Sequence, residues 1–157
     1  MTINCKGILL DLTRPKVMGI LNLTPNSFFD GGKYADENEV LEQVEKMLNE
    51  GATFIDVGAY SSKPNAEYVS EGEELQRLLP VVNLLVQEFP DIVLSIDTFR
   101  SEVAEQAINA GAAMINDISA GYLDESMMET VAKLQVPYIM MHMKGTPKTM
   151  QSLTQYD

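Results

Sequence analysis

The chain alternates between short apolar runs and longer segments in which apolar residues return every three or four positions. The runs are Val17–Leu21, Phe54–Val57, Ile92–Ile96, Met114–Ile115 and Tyr138–Met141. Each is continuous rather than alternating, the pattern of a strand buried on both faces. Between the first two, Val40, Leu41, Val44, Met47 and Leu48 fall on one helical stripe, opened by Asp36 with Glu39 three residues on. A second stripe comprises Leu75, Leu78, Leu79, Val82, Leu85, Val86 and Phe89, opened by Ser70 and Glu73. Pro80 lies inside it and predicts a kink or a split. Val103, Ala104, Ala107 and Ile108 predict a third helix, and Met127, Met128, Val131 and Leu134 a fourth. Gly51-Ala52 and Gly111-Ala112 close two of these segments alike, with Gly supplying a left-handed turn.

Strand and helix thus alternate through five strands, which implies a parallel sheet flanked by helices. Two α/β closures fit: an open doubly wound sheet, or part of a (β/α)8 barrel. No G-x-G-x-x-G follows the first strand, which weakens the dinucleotide-binding version. A complete barrel usually takes ~250 residues. A chain of 157 residues therefore accommodates about five of eight strands, a TIM barrel truncated at its C-terminal side and forming one domain over residues 1–157. In either closure, function belongs at the C-terminal ends of the strands.

Those ends carry an unusual set of polar groups. Asn22 follows the first strand, Asp56 ends the second, Asp97 the third, Asn116-Asp117 the fourth and His142 the fifth. A carboxylate at the end of a buried strand must be paired, hydrogen-bonded or neutralised. Asp97 taken alone also suits a cap on the third helix. Several such groups converging on one rim are harder to explain as caps. The first βα loop, Asn22 to Gly32, is long and mixes aromatics, hydroxyls, a carboxylate and a Gly pair, which suits a mobile lid better than a connector. The second, Ala59 to Asn65, offers hydroxyls and the Lys63 cation to phosphate oxygens, although such a stretch is more often a solvated turn. His142 is the only histidine and reads as a group that orients a loop or accepts a core hydrogen bond. The ten methionines, Met140, Met141 and Met143 among them, read mostly as core filler. Glu71, Glu73 and Glu74 read as a solvated face at a helix N-terminus.

Composition narrows the partners. Eleven basic against twenty-three acidic residues give a net charge of −12, which repels a phosphate backbone, so no nucleic acid partner is expected unless the few Lys and Arg cluster. An anionic small substrate would need a local cation or metal. The single Cys5 excludes an internal disulfide and fits a reducing cytoplasm. No apolar run approaches ~20 residues, so no membrane partner is expected.

At this point the motifs resemble a known family. MGILNLTPNSFFDGG (Met18–Gly32) resembles the first signature of dihydropteroate synthases, usually N-x-T-P-D-S-F-S-D-G-G, and FIDVGAYSSKP (Phe54–Pro64) resembles the second. LSIDTFR, INDISAG and IMMHMKGTPKTMQ follow in the family's order, so the resemblance runs from Pro15 to Gln151. It implies a (β/α)8 barrel that condenses 6-hydroxymethyl-7,8-dihydropterin pyrophosphate with p-aminobenzoate, assisted by Mg2+. It further implies that Asn22 contacts the metal and pyrophosphate, that Ser62 holds the diphosphate, and that Lys63 lies in the second mobile loop. Asp97 and Asn116 would hydrogen-bond the pterin, Ile118, Ile139 and Met141 would wall its pocket, and Phe28 and Asp30 would close over the intermediate. Three features depart from the family. Asn26 stands where Asp is usual, and Ser62 and Lys63 replace Thr and Arg, which keeps a cation but loses the bidentate fork. The family's later elements, with their basic anion pocket, are absent.

A related pterin-dependent methyltransferase barrel would share the pterin residues but not the Asn22–Gly32 and Ser61–Pro64 loops, and a non-catalytic pterin-binding fragment remains a third reading. An open strand edge after Tyr138–Met141 would favour association with a second copy. Because only five of eight strands are placed, the 157-residue chain alone is expected to form no dihydropteroate. A product assay on the purified chain checks this, and measurable turnover would refute it.

Overall fold

A computed structural model of the chain describes residues 1–23, 33–60 and 68–156, with the backbone alone for 33–36. Its main sheet has five parallel strands: β3 (Val17–Asn22), β4 (Ala52–Gly58), β5 (Leu94–Asp97), β6 (Met114–Asp117) and β7 (Tyr138–Met140). They lie side by side in chain order, β3-β4-β5-β6-β7. A doubly wound sheet reverses its strand order at a switch point. The absence of a reversal decides between the two closures, and the sheet is five strands' worth of a barrel wall.

Four helices connect the strands: α1 (Lys33–Asn49), α2 (Glu71–Glu88), α3 (Ser101–Asn109) and α4 (Met127–Leu134). Helix α1 starts three residues before Asp36, so Asp36 and Glu39 are not its opening box. The good helix formers Lys33 and Ala35 carry the helix back that far. Ser70 does cap α2: its Oγ accepts from the Glu73 amide at 3.3 Å while the Glu73 carboxylate accepts from the Ser70 amide at 3.0 Å. Pro80 does not split α2, which runs unbroken past it. The positive φ of Gly51 (103°) and Gly111 (116°) provides the two left-handed turns.

Register sorts the side chains into two faces. Leu21, Ile55, Val57, Leu94, Ile96 and Ile115 form one core with Val44 of α1, Leu78, Val81, Val82 and Leu85 of α2, and Val103, Ala104 and Ala107 of α3. On the opposite face the strands are layered. Phe54, Val93, Ala113 and Met114 form an apolar floor. Ile20, Asp56 and Ser95 are level with one another in the middle, in register with Met114 at the upper edge of the floor, and Asn22, Gly58, Asp97, Asn116 and Ile139 form the top row.

The floor is completed by an element with no counterpart among the sequence expectations. Strands β1 (Thr2–Cys5) and β2 (Ile8–Asp11) form an antiparallel hairpin turned by Lys6 and Gly7, both at positive φ. Cys5 is buried against the floor, with Ile3, Leu10, Leu12 and Met18 packed around it. The Lys6 Nζ donates to the Gly111 carbonyl at 2.7 Å, pinning the hairpin to the turn between α3 and β6.

Replacing Ser70 by Ala is expected to lower stability by about 1 kcal/mol, because it removes half of the α2 capping box. Urea denaturation should show a lower midpoint with an unchanged slope.

Candidate functional site

The top row places Asn22, Asp97, Asn116 and Ile139 on four neighbouring positions of one rim, with Gly58 between the first two. Gly58 is there for space. A Cβ on it would stand 3.2 Å from Asp97 Oδ2 and 3.6 Å from Asn22 Oδ1, so it would crowd the Asp97 carboxyl and fill the gap between the two polar groups. One layer lower, the Asp56 carboxylate accepts from the Asn116 side-chain nitrogen at 3.0 Å. The last rungs of the sheet fix the row: Leu23 N–H donates to the Gly58 carbonyl at 2.8 Å and Thr98 N–H to the Asn116 carbonyl at 3.1 Å.

The loops above this row are clasped to their neighbours by buried and half-buried charges. Glu74 of α2 is 1% exposed and receives the Thr98 hydroxyl at 2.8 Å and the Arg100 guanidinium. Arg100 also donates to the Val69 carbonyl at 2.8 Å and stacks on Phe99 and Tyr60, its carbon 4.9 and 5.3 Å from the ring centres. The turn after Asp97 is thereby tied to α2 and to residues on both sides of the second βα loop. In the next unit, Asp124 accepts from the first amide of α3, Ser101, at 2.7 Å. Asp117 is fully buried and accepts from the Ser119 amide and hydroxyl, the Gly121 amide and the Tyr138 hydroxyl, the last at 2.6 Å.

Residues 18–157 match the family described as pterin binding enzyme. The chain belongs to that family. It is 47% identical to a dihydropteroate synthase from Haemophilus influenzae, over 94% of this chain and 53% of the relative. Among solved structures, a Yersinia pestis dihydropteroate synthase determined with a sulfonamide drug superposes with a TM-score of 0.85 at 45% identity, covering 100% of this chain and 56% of that one. A Xanthomonas albilineans dihydropteroate synthase determined with 4-aminobenzoic acid gives 0.82 at 39% identity, covering 99% and 54%. The chain spans about half the length of these relatives. The resemblance read from its motifs is upheld, and so is the barrel fold.

On this rim, the expected residues fall into three groups. Asn22, Asp97, Asn116 and Ile139 are brought together. Ile118 is half-buried directly after β6, and Met141 follows β7, its amide donating to the Asp117 carbonyl at 3.0 Å. Phe28, Asp30, Ser62 and Lys63 lie outside the described residues.

Several readings are corrected. Asp97 does not cap α3, whose N-cap is Arg100 and whose first amide is taken by Asp124 instead. Glu74 is not on a solvated face. It shares the apolar stripe of Leu78, Val81 and Leu85, spacings of four, three and four that already place it inward. His142 makes no core hydrogen bond; it is exposed, with the Tyr156 hydroxyl 3.3 Å from its Nε2. Met140 and Met141 are exposed rather than core filler, because β7 is an edge of the five-strand sheet.

Burial and like charge set the electrostatics. Desolvation, reinforced by the carboxylates of Asp56, Glu74 and Asp117, pushes the Asp97 pKa up to about 7. Burial also raises the Glu74 pKa, against the opposing pull of Thr98 and Arg100. Tyr138 is raised by burial and by its bond to Asp117, so its hydroxyl stays a donor.

The Asp97 shift has a definite sign. Between pH ~4 and ~7 the folded chain keeps a proton that the unfolded chain has lost, so this group's contribution to stability falls as pH rises and is fully unfavourable above 7. Asp97→Asn is therefore expected to stabilise the chain by roughly 3 kcal/mol at pH 8.5 and by little at pH 4. Denaturation at the two pH values measures the difference. An equal gain at both would contradict the shift.

Proposed function

We propose that this chain supplies the pterin-binding half of a dihydropteroate synthase, the enzyme that joins 6-hydroxymethyl-7,8-dihydropterin pyrophosphate to p-aminobenzoate and releases pyrophosphate. The observation that carries this reading is the top row: an amide, a space, a carboxyl group and a second amide in register, beside the exposed Ile139. The edge of a pterin ring presents donors and acceptors in one plane, and Asp97 and Asn116 on adjacent strands offer a matching pair. Ile139 and Met141 supply apolar surface for the ring face, with Ile118 beside them. Family membership and the dihydropteroate synthases among the relatives support the same assignment.

In the reaction as proposed, the bond from the pterin methylene carbon to the pyrophosphate oxygen breaks and the amine of p-aminobenzoate forms the new C–N bond, losing a proton. No protein nucleophile is required. The carbon left by the departing pyrophosphate is electron-poor, and a fixed carboxyl group beside the ring stabilises that charge as it develops. With a pKa near 7, Asp97 offers either a donor or a negative charge at neutral pH. Segments carrying Phe28, Asp30, Ser62 and Lys63 are assigned to the pyrophosphate and to closure over the intermediate.

Mg2+ fits this reading as an ion that arrives with the pyrophosphate. The described residues gather no group of three or more His, Cys, Asp or Glu side chains suited to a metal, but Asn22 is exposed at the end of β3 with its amide oxygen toward the gap at Gly58. One protein oxygen with several phosphate oxygens and waters is an ordinary Mg2+ environment. When bound, the ion would neutralise charge building on the leaving group. The buried free Cys5 supports a reducing compartment such as the cytoplasm, and no helix among the described residues is long and apolar enough to cross a membrane.

Calorimetry of the chain with the pterin pyrophosphate, with and without Mg2+, tests the proposal. Binding is expected, and Asp97→Ala or Asn116→Ala should each weaken it by about 10- to 100-fold. Absence of binding by the wild-type chain would overturn the pterin assignment.

A further inference from the structure

Asp56 combines two properties that stability alone does not explain. It is 4% exposed in the middle layer, and one of its oxygens, Oδ1, is buried without a hydrogen-bond partner among the described residues. An unpartnered buried carboxylate oxygen is costly, and an apolar side chain at this level would pack at less cost. Its other oxygen, Oδ2, is 3.0 Å from Asn116 Nδ2, although Asp56 is on β4 and Asn116 on β6. The bond therefore spans β5, where the residue level with Asp56 is the small Ser95.

This contact fixes which way the Asn116 carboxamide is turned. A carboxylate accepts and does not donate, so the atom of Asn116 that faces Asp56 is the nitrogen. The carboxamide oxygen is left on the other side, without a partner among the described residues, in the same row as Asp97. An amide free to turn would present N–H2 or C=O with similar ease. One held by Asp56 presents an acceptor.

We propose that Asp56 is a positioning residue: it locks the Asn116 amide so that its oxygen faces the ligand, making this position an acceptor for a ring N–H. This deepens the pterin assignment and rests on it. Asp56 itself touches no ligand in this scheme. Its role is to set the hydrogen-bond polarity of the group that does.

Three variants and one spectroscopic measurement test the lock. The probe is 6-hydroxymethylpterin, titrated calorimetrically into the chain. Asp56→Leu removes the acceptor and also the unpartnered buried oxygen, so it should melt no lower than wild type while binding about tenfold more weakly. Asn116→Asp sets two carboxylates against each other and should lose about a hundredfold. Combining Asp56→Asn with Asn116→Asp restores a donor-to-acceptor bond across β5 and again leaves an oxygen toward the ligand, so affinity should return to within about fivefold of wild type. Full affinity in Asp56→Leu, or a double variant no better than Asn116→Asp, would overturn the proposal.

The nitrogen-15 NMR arm is independent of pterin. The Asn116 side-chain N–H2 should exchange slowly in wild type and at least tenfold faster in Asp56→Leu. An unchanged rate overturns the lock even if pterin binds. Failure of the wild type to bind pterin, with the exchange difference intact, overturns the pterin assignment and leaves the Asp56–Asn116 lock standing.

Discussion

Everything at the candidate site follows from the parallel register of β3 to β7. Five strands in chain order, with Asn22, Gly58, Asp97, Asn116 and Ile139 paired in sequence, place five separate stretches of chain on one line. A slip of one residue in any strand would turn its polar end toward the helices and an apolar residue toward the rim. The helix-side core guards against this. Ile55, Val57, Leu94, Ile96 and Ile115 are fully buried there, and a slip would exchange them for Asp56, Ser95, Asp97 and Asn116. The hydrophobic pattern on one face thus enforces the chemistry on the other.

Above the sheet, register no longer helps, and hydrogen-bonded charges take over. Glu74, Arg100 and Thr98 join the third unit to the second, and Asp124 joins the fourth to the third. Both clasps run backward along the chain, from a loop to the element before it. A buried ion pair of the Glu74–Arg100 kind is a weak source of net stability, since desolvation offsets most of the attraction. Its value is directional: hydrogen bonds to Val69 and Thr98, with stacking on Phe99 and Tyr60, hold Arg100 in one geometry. Burial first, and the neighbouring carboxylates second, burden Asp97 with a raised pKa. Stability is given up at the rim rather than in the helix-side core.

The sheet and helices were legible because continuous apolar runs and helical stripes are strong local signals. The rim residues were legible because a polar group ending a buried run is rare. What escaped the sequence did so for specific reasons. Glu74 follows Glu71 and Glu73, and the eye groups it with a charged N-terminus, although its spacing to Leu78, Val81 and Leu85 points inward. The bond from Asp56 to Asn116 skips a strand, so no local pattern encodes it. The β1–β2 hairpin was missed because its strands are four residues each and its Lys6-Gly7 turn lacks the usual Asn-Gly or Asp-Gly mark. Met140 and Met141 are exposed, and His142 is outside the core, because strand position at the sheet edge decides burial where residue type does not.

The hairpin also sets an order of events during synthesis. Its apolar residues meet Phe54, Val93, Ala113 and Met114, and Lys6 meets Gly111, 105 residues later in the chain. At ribosomal rates of about 5–20 residues per second, the two hairpin strands wait on the order of five to twenty seconds for that partner. Over that interval Ile3, Cys5, Leu10 and Leu12 have no finished floor to cover. The base of the fold thus closes only once the start of β6 has been made, well after β3 and β4 can pair above it.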